Sequence, residues 1–536
     1  MAQHSTDRPG APRWIVSGAL ALLLVAPPGG GRAEPRGVRV SYGTSQRVAS
    51  EVTISWNTDD QCDTVVRYGT DAALLDLETT GLGDATPVLE VGYTHEVTLQ
   101  GLAPLTRYYY RAGDESRGFS SIFTFRTGTD DPCQPFTFVA GGDTRSNDDF
   151  GPSDLWRPIL DESLLHDPLF VLVNGDLVEE GNEPLQWRRW IDSIHGVGAA
   201  IIPSLGNHDD SDVHGDDATY NRLFGLPRND DPSGGTEDYN YFVCGDAIFV
   251  TLSSSTFHDG ADFSDQAQWL DRTLSDVDRT WKIVQLHHPS LATDISVGTQ
   301  PPDEHGQNAD LMPIFDAHHV DVVITSHNHV YERFRPMVSN PSDWAAGTEV
   351  GSYAEGSLYV VTGGLGVLTV FVFDAAPEPA PGSEVRSGEY HYLSFRIGGD
   401  RLEMNVLATF AGLDLAMKEP GALIDRVVIV KPPDQLGDAA QCAPTDTFDA
   451  DEDGFFSDVD CDDADPAIRP YAEEVCDGLD NNCDGQIDEN LPDCTPPTPP
   501  DGKDPGCGCG QSALPSALWG LLLLLFVLTF RSRRPV

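Results

Sequence analysis

Five apolar runs in the middle of this chain stop directly at a carboxylate, amide or imidazole, and that repeated ending constrains the fold more than any other feature. Phe136–Ala140, Leu169–Asn174, Ala200–Leu205, Lys282–Leu286, Val320–Thr325 and Leu358–Thr362 are short, rich in β-branched and aromatic residues, and separated by longer mixed segments. They read as buried strands of an α/β sheet. The first five lead into Gly142-Asp143, Gly175-Asp176, Gly206-Asn207-His208-Asp209, His287 and Ser326-His327-Asn328-His329. Loops beyond the carboxyl ends of such strands line one crevice, so these side chains are placed to meet. A single Gly-Asp is commonly a turn and nothing more. The whole ordered set defines a candidate site at Asp143, Asp176, Asn207, His287, His327 and His329.

These residue types suit a pair of metal ions. Two cations about 3.5–4 Å apart need a shared anionic ligand and further oxygen or nitrogen donors on each flank. Asp176 is assigned the bridge, and His327 and His329 one ring to each cation. Carboxylates favour hard ions, and imidazole suits borderline ones such as Fe or Zn.

Residues 37–128 alternate like a β-sandwich, with Val52–Trp56, Thr64–Tyr68, His95–Leu99 and Phe123–Thr127 as strands. The run Gly101–Arg111, a turn feeding an aromatic strand, resembles the tyrosine corner of fibronectin type III domains. Trp56 and the tyrosines read as core. Further on, Tyr390–Phe395 and Leu402–Leu407 read as a terminal hairpin, and Pro432-Pro433 opens a linker.

The ordered motifs resemble those of calcineurin-like metallophosphoesterases. The stretch Ser326-His327-Asn328-His329-Val330-Tyr331-Glu332-Arg333, together with the preceding sandwich, resembles the purple acid phosphatase branch over about residues 37–430. The resemblance implies a fibronectin III-like all-β domain (37–128) followed by an α/β metallophosphoesterase sandwich (134–432). It implies Fe in the first metal position, held by Asp143, Asp176 and His329. It implies Zn, Fe or Mn in the second, held by Asp176, Asn207, His287 and His327. A hydroxide on the metals would attack phosphorus in line, with His208 contacting the phosphate and assisting the leaving group. His288 would support its neighbouring ligand, and His305 could reach the site. Two positions depart from the family pattern. Glu179 stands where a Tyr ligand follows the bridging Asp, so the purple colour is not expected; Glu179 either ligates or points to solvent. Arg145 stands where other metallophosphoesterases carry a His. It cannot ligate, and reads as a phosphate-binding cation or a surface residue.

Residues 446–493 carry eighteen Asp or Glu against one Arg. Asp449, Asp451 and Asp453 precede Gly454 as in the opening of a Ca²⁺ loop, with Asp460 at position 12. A second cycle runs Asp480, Asn482, Asp484, Gly485. The segment 446–494 resembles the Asp/Cys-rich calcium-binding repeats of bacterial surface proteins, implying a Ca²⁺-stiffened stalk cross-linked by Cys461, Cys476, Cys483 and Cys494. With Cys62, Cys133, Cys244 and Cys442 these make an even set suited to disulfides, whose pairing the sequence leaves open.

Arg8 and Arg13 before the apolar run Trp14–Ala26 read as a secretory signal cleaved after Ala33. Residues 495–512 form a Pro/Gly/Asp spacer ending in Cys507-Gly508-Cys509, followed by an apolar run over 513–530 and an Arg-rich tail over 531–536. This layout resembles the sorting signals cut by myxosortase-type proteases, implying surface attachment; a plain membrane anchor is the other reading. A net charge of −52 argues against nucleic acid or anionic membranes as partners. The expected activity is phosphomonoester hydrolysis on a small substrate. A phosphodiesterase or nucleotide-directed hydrolase on the same core, and a non-catalytic surface adhesin, stand as alternatives.

Overall fold

The apolar runs pair as strands, and two large sheets stack through their phenylalanines. The computed structural model describes residues 35–146, 152–211, 213, 215–229, 236–254, 263–294, 299–369, 378–409, 421–489 and 491. In the first sheet Phe136–Gly141, Phe170–Val173 and Ala200–Pro203 run parallel, and His391–Gly398, Arg401–Ala408 and Leu423–Val430 continue it antiparallel. In the second, Ala247–Thr251, Trp281–Gln285, Val322–Thr325 and Leu358–Thr362 run parallel. Antiparallel Asn240–Cys244 flanks it on one side, and Tyr331–Phe334 and Ser383–Ser387 on the other.

Phe249 of the second sheet packs its ring 5.0 Å from Phe138 and 4.9 Å from Phe170 of the first. Burying each such ring stabilises by roughly 2–3 kcal/mol, so this seam fixes the strand ends relative to one another. Helices Ser264–Asp276 and Asn308–His318 bury Trp269, Leu270, Leu311 and Phe315 against the outer face of the second sheet. The result is the layered α/β sandwich that the strand pattern predicts.

The N-terminal sandwich is also as expected, and the Tyr108 hydroxyl accepts from the Ala103 backbone N–H at 3.0 Å, closing the tyrosine corner. What the sequence does not reveal is its continuity with the next domain. Strand Arg36–Ser41 pairs in parallel with Ala200–Pro203, with Val40 opposite Ala200, so one ten-stranded sheet runs through both. Buried Arg39 pins the junction by donating to Asn57 Oδ1 and the Leu223 carbonyl, each at 2.9 Å.

The expectation for the cysteines needs correction. Cys133–Cys442 and Cys461–Cys483 are disulfides, and Cys476 is disulfide-bonded too. Cys62 and Cys244, however, are free thiols. Cys244 ends a strand inside the core and behaves there as a small hydrophobe. Cys494, Cys507 and Cys509 lie outside the described residues, as do the signal segment and the apolar C-terminal run. Among the described residues no helix is long and apolar enough to cross a membrane.

The described residues fall into two compact units, one running through Ala472 with Asn482–Asp484, the other comprising Glu473–Asn481 and the described residues from Gly485. The first acidic cycle therefore differs from the stalk read in the sequence. Phe448, Phe455 and Phe456 are buried, and Phe455 stacks on His166 at 4.7 Å. Asp449 accepts from Asn405 of strand Arg401–Ala408 at 2.8 Å. In the second cycle, the Gly485 N–H donates to Asp480 and the Asp484 N–H to Asn482 Oδ1, at 2.8 and 3.0 Å.

Candidate metal centre

The two sheets present their carboxyl edges to one cleft, and five strand ends deliver the candidate residues there. Asp143, Asp176 and His327 all adopt left-handed backbone conformations, with φ of 62°, 54° and 64°. Non-glycine residues rarely do so, and strain of this kind gathers at functional sites. The turns are tight enough to demand glycine beside them. A Cβ on Gly206 would fall 2.2 Å from the Asp176 backbone nitrogen and Oδ1, and one on Gly142 would fall 2.4 Å from Ser326 Oγ.

On one side of the cleft, acceptor atoms face each other. His287 Nε2 lies 3.2 Å from Asp176 Oδ1, 3.1 Å from Asn207 Oδ1 and 3.2 Å from His327 Nδ1. The rings are oriented from behind. His287 Nδ1 donates to the Asn174 carbonyl at 2.8 Å, which points Nε2 into the cleft. His327 turns Nε2 toward Glu304 Oε2 at 3.4 Å, which points Nδ1 at His287. Such backing of the far ring nitrogen is typical of metal-binding histidines. Two ring nitrogens, a carboxylate oxygen and an amide oxygen together form a donor set that a borderline cation fits.

On the other side the acceptors face an arginine. Arg145 Nε donates to Asp176 Oδ2 at 3.0 Å, Nη1 donates to Glu179, and Nη2 lies 3.4 Å from His329 Nε2. Asp143 Oδ1 is buried without a hydrogen-bond partner and lies 3.5 Å from the same His329 nitrogen. Burial pushes the Asp143 carboxyl up to about 7. Burial also opposes charge on Asp176, but His287, His208 and Arg145 outweigh it and hold that carboxyl well below the usual range. Asp143, Asp176 and His329 are thus brought together as expected, but the cation among them is a guanidinium. Glu179 neither meets a bare ligand position nor points to solvent; it pairs with Arg145, whose side chain is 9% exposed.

His208 donates from Nδ1 to the Glu179 carbonyl at 2.7 Å, which turns Nε2 to within 4.0 Å of Asp176 Oδ2. His288 bonds Ser254 Oγ at 2.8 Å through Nδ1 and meets His305 Nε2 at 3.2 Å through Nε2. His305 therefore does reach the site, through His288. Sequence reasoning passed over two residues. Asp209 ties two ligand loops together, accepting from the N–H groups of Leu177, Val178 and Gly206 at 2.7, 3.0 and 2.9 Å. Its place beside Asn207-His208 was the available signal. Glu304 gave none, since nothing local marks an exposed-loop carboxylate as facing His327.

A second gathering of acceptors lies in the acidic segment. Carboxylate oxygens of Asp449, Asp451 and Asp453 lie within 4.8 Å of one another. Each of these residues, and Asp460, has a buried oxygen with no hydrogen-bond partner. Burial raises the Asp453 and Asp460 carboxyls, to about 7 and about 6.

Comparison with known proteins agrees with this geometry. Residues 137–331, which include all six candidate ligands, match the calcineurin-like phosphoesterase domain, and residues 35–127 match the purple acid phosphatase N-terminal domain. The chain therefore carries a calcineurin-like phosphoesterase domain preceded by a purple acid phosphatase N-terminal domain. Among its relatives, purple acid phosphatase 21 of Arabidopsis thaliana is 27% identical over 308 residues, covering 54% of this chain and 65% of that protein. The purple acid phosphatase PPD1 from yellow lupin shares the fold, with a TM-score of 0.60 at 18% identity over 77% of this chain and 78% of that one. A structure titled PhoD does so at 0.54 and 13%, over 76% and 92%. Residues 460–489 match the Cu-binding MopE metal-binding motif.

Proposed function

We propose that this chain is a metal-dependent phosphoester hydrolase of acid phosphatase type, acting on small phosphomonoesters. One observation carries the reading: Asp176 Oδ1, Asn207 Oδ1 and His327 Nδ1 all lie within 3.2 Å of His287 Nε2. Fe, Zn or Mn suits that donor set. Such an ion, when bound, lowers the pKa of a water and neutralises charge on phosphoryl oxygens. The chain's own residues do the rest. Asp176 is held ionised by its neighbours and oriented by the His208 N–H at 3.0 Å and by Arg145. His208 presents Nε2 to hold a phosphoryl oxygen or to pass a proton to the leaving alkoxide. Asp209 and Glu304 keep the ligand loops and rings in place. A panel of phosphomonoesters and phosphodiesters on the metal-loaded protein tests this. Monoester turnover that disappears in His287→Ala is expected; no turnover of any phosphoester would contradict it.

We place the protein outside the cytoplasm, surface-attached through its C-terminus. The basic and apolar N-terminal segment, the Cys-Gly motif before an apolar run, and the disulfides support this. We also assign Ca²⁺ to Asp449, Asp451, Asp453 and Asp460, an all-oxygen set suited to a hard cation. The second cycle, Asp480, Asn482 and Asp484, is assigned the same ion by its sequence. Calorimetry on the full chain should show Ca²⁺ heat that Asp451→Asn diminishes; no heat in the wild type would remove the assignment.

A further inference from the structure

We infer that the Arg145 guanidinium holds the first-metal position, so that the centre carries one transition metal rather than two. The inference rests on the phosphoester reading above and deepens it. Of the three residues that would surround a first metal, Asp176 and His329 are already answered by one side chain, with Glu179 beside them, and Asp143 keeps a buried oxygen without a partner. Asp176 Oδ2 takes Nε at 3.0 Å, Glu179 takes Nη1, and His329 Nε2 lies 3.4 Å from Nη2. The backbone supports the placement, because the Arg145 N–H donates to the Asp176 carbonyl at 3.1 Å.

The chemistry makes this more than a contact. A metal entering a carboxylate or imidazole site can displace a proton and take its place. A guanidinium does not deprotonate in proteins, so its positive charge stays and repels an incoming cation. Its planar fork also matches several oxygens at once, which a phosphoryl group supplies as readily as a carboxylate. The two departures from the family pattern now explain each other. Glu179 replaces a ligand with a carboxylate, and Arg145 supplies the cation that this carboxylate pairs with. The site keeps two positive centres, one a metal among Asp176, Asn207, His287 and His327, the other Arg145. Arg145 is placed to hold a substrate oxygen on the side away from the metal.

Metal content and magnetic signature test this on the full chain. Stripped protein is loaded with Mn²⁺ in saturating Ca²⁺, which fills the acidic loop, then examined by elemental analysis and electron paramagnetic resonance. The wild type should hold about one Mn per chain, with the spectrum of an isolated ion. Arg145→Ala should hold about two, with a spin-coupled spectrum. Two coupled Mn ions in the wild type would overturn the inference while leaving the phosphoester reading intact. Arg145→Ala remaining at one ion would overturn the guanidinium's role. No bound Mn in the wild type would overturn both readings. If Arg145→Ala does not fold, the wild-type stoichiometry still decides.

Discussion

The two halves of the centre share Asp176 and differ in what answers their acceptors. On the His287 side, a carboxylate oxygen, an amide oxygen and two ring nitrogens converge with no guanidinium or ammonium among them. On the His329 side, Arg145 answers Asp176 and His329, while Asp143 Oδ1 stays without a partner. A ligand list treats the halves alike, because both are carboxylate and imidazole at strand ends. Counting donors against acceptors separates them, and it shows that a cation requirement can be met by the chain itself.

Removing the residue common to both halves should have the largest effect. Asp176→Ala should lower kcat on an aryl phosphate by about a thousand-fold or more, the scale of losing a preorganised electrostatic group. Stopped assays against the wild type at saturating metal measure it. His208 stands beside both halves without ligating either. His208→Ala should cost about a hundred-fold, and more with an alkyl than an aryl leaving group, because the poorer leaving group needs the proton. Equal losses for both substrates would assign His208 to phosphate binding alone.

A smaller effect concerns the body that holds the halves in place. Burial pushes the His166 imidazole down to about 3, where it stacks on Phe455 and meets the Tyr392 hydroxyl at 3.0 Å. A lowered folded-state pKa means the unfolded chain binds the proton first, so stability falls as pH drops below the ordinary histidine value. Between about pH 7 and about pH 5 the contribution is about 2 kcal/mol, and urea unfolding of His166→Phe should show that much less acid sensitivity than the wild type. Least of all, Glu304→Gln should weaken transition-metal affinity about tenfold, with kcat at saturating metal retained. A competitive chelator titration reads this, and unchanged affinity would detach Glu304 from His327.

Much of this was legible in the sequence, because local patterns carried it. Each ligand follows an apolar strand, and strand ends of an α/β sheet meet regardless of their distance along the chain. The tyrosine corner and the terminal hairpin were similarly local. What escaped was pairing across the chain. Arg145 and Glu179 stand out singly as departures from the family pattern, but their pairing with each other appears only when the fold brings them together. The junction of Val40 with Ala200 joins strands from regions read as separate domains. The burial of the first acidic cycle had a signal, Phe455-Phe456 within a run of carboxylates, but net charge dominated the reading. Cys62 and Cys244 escaped because an even cysteine count says nothing of which thiols approach each other.

The central claim is that phosphoester hydrolysis here depends on a transition metal held by Asp176, Asn207, His287 and His327. The direct measurement is turnover of an aryl phosphomonoester by the purified chain before chelation, after it, and after addition of Zn²⁺, Mn²⁺ or Ca²⁺. The account predicts that chelation abolishes turnover, that a transition metal restores it and Ca²⁺ does not, and that Asp176→Ala stays inactive throughout. Undiminished turnover in the chelated protein, or in Asp176→Ala, would contradict it.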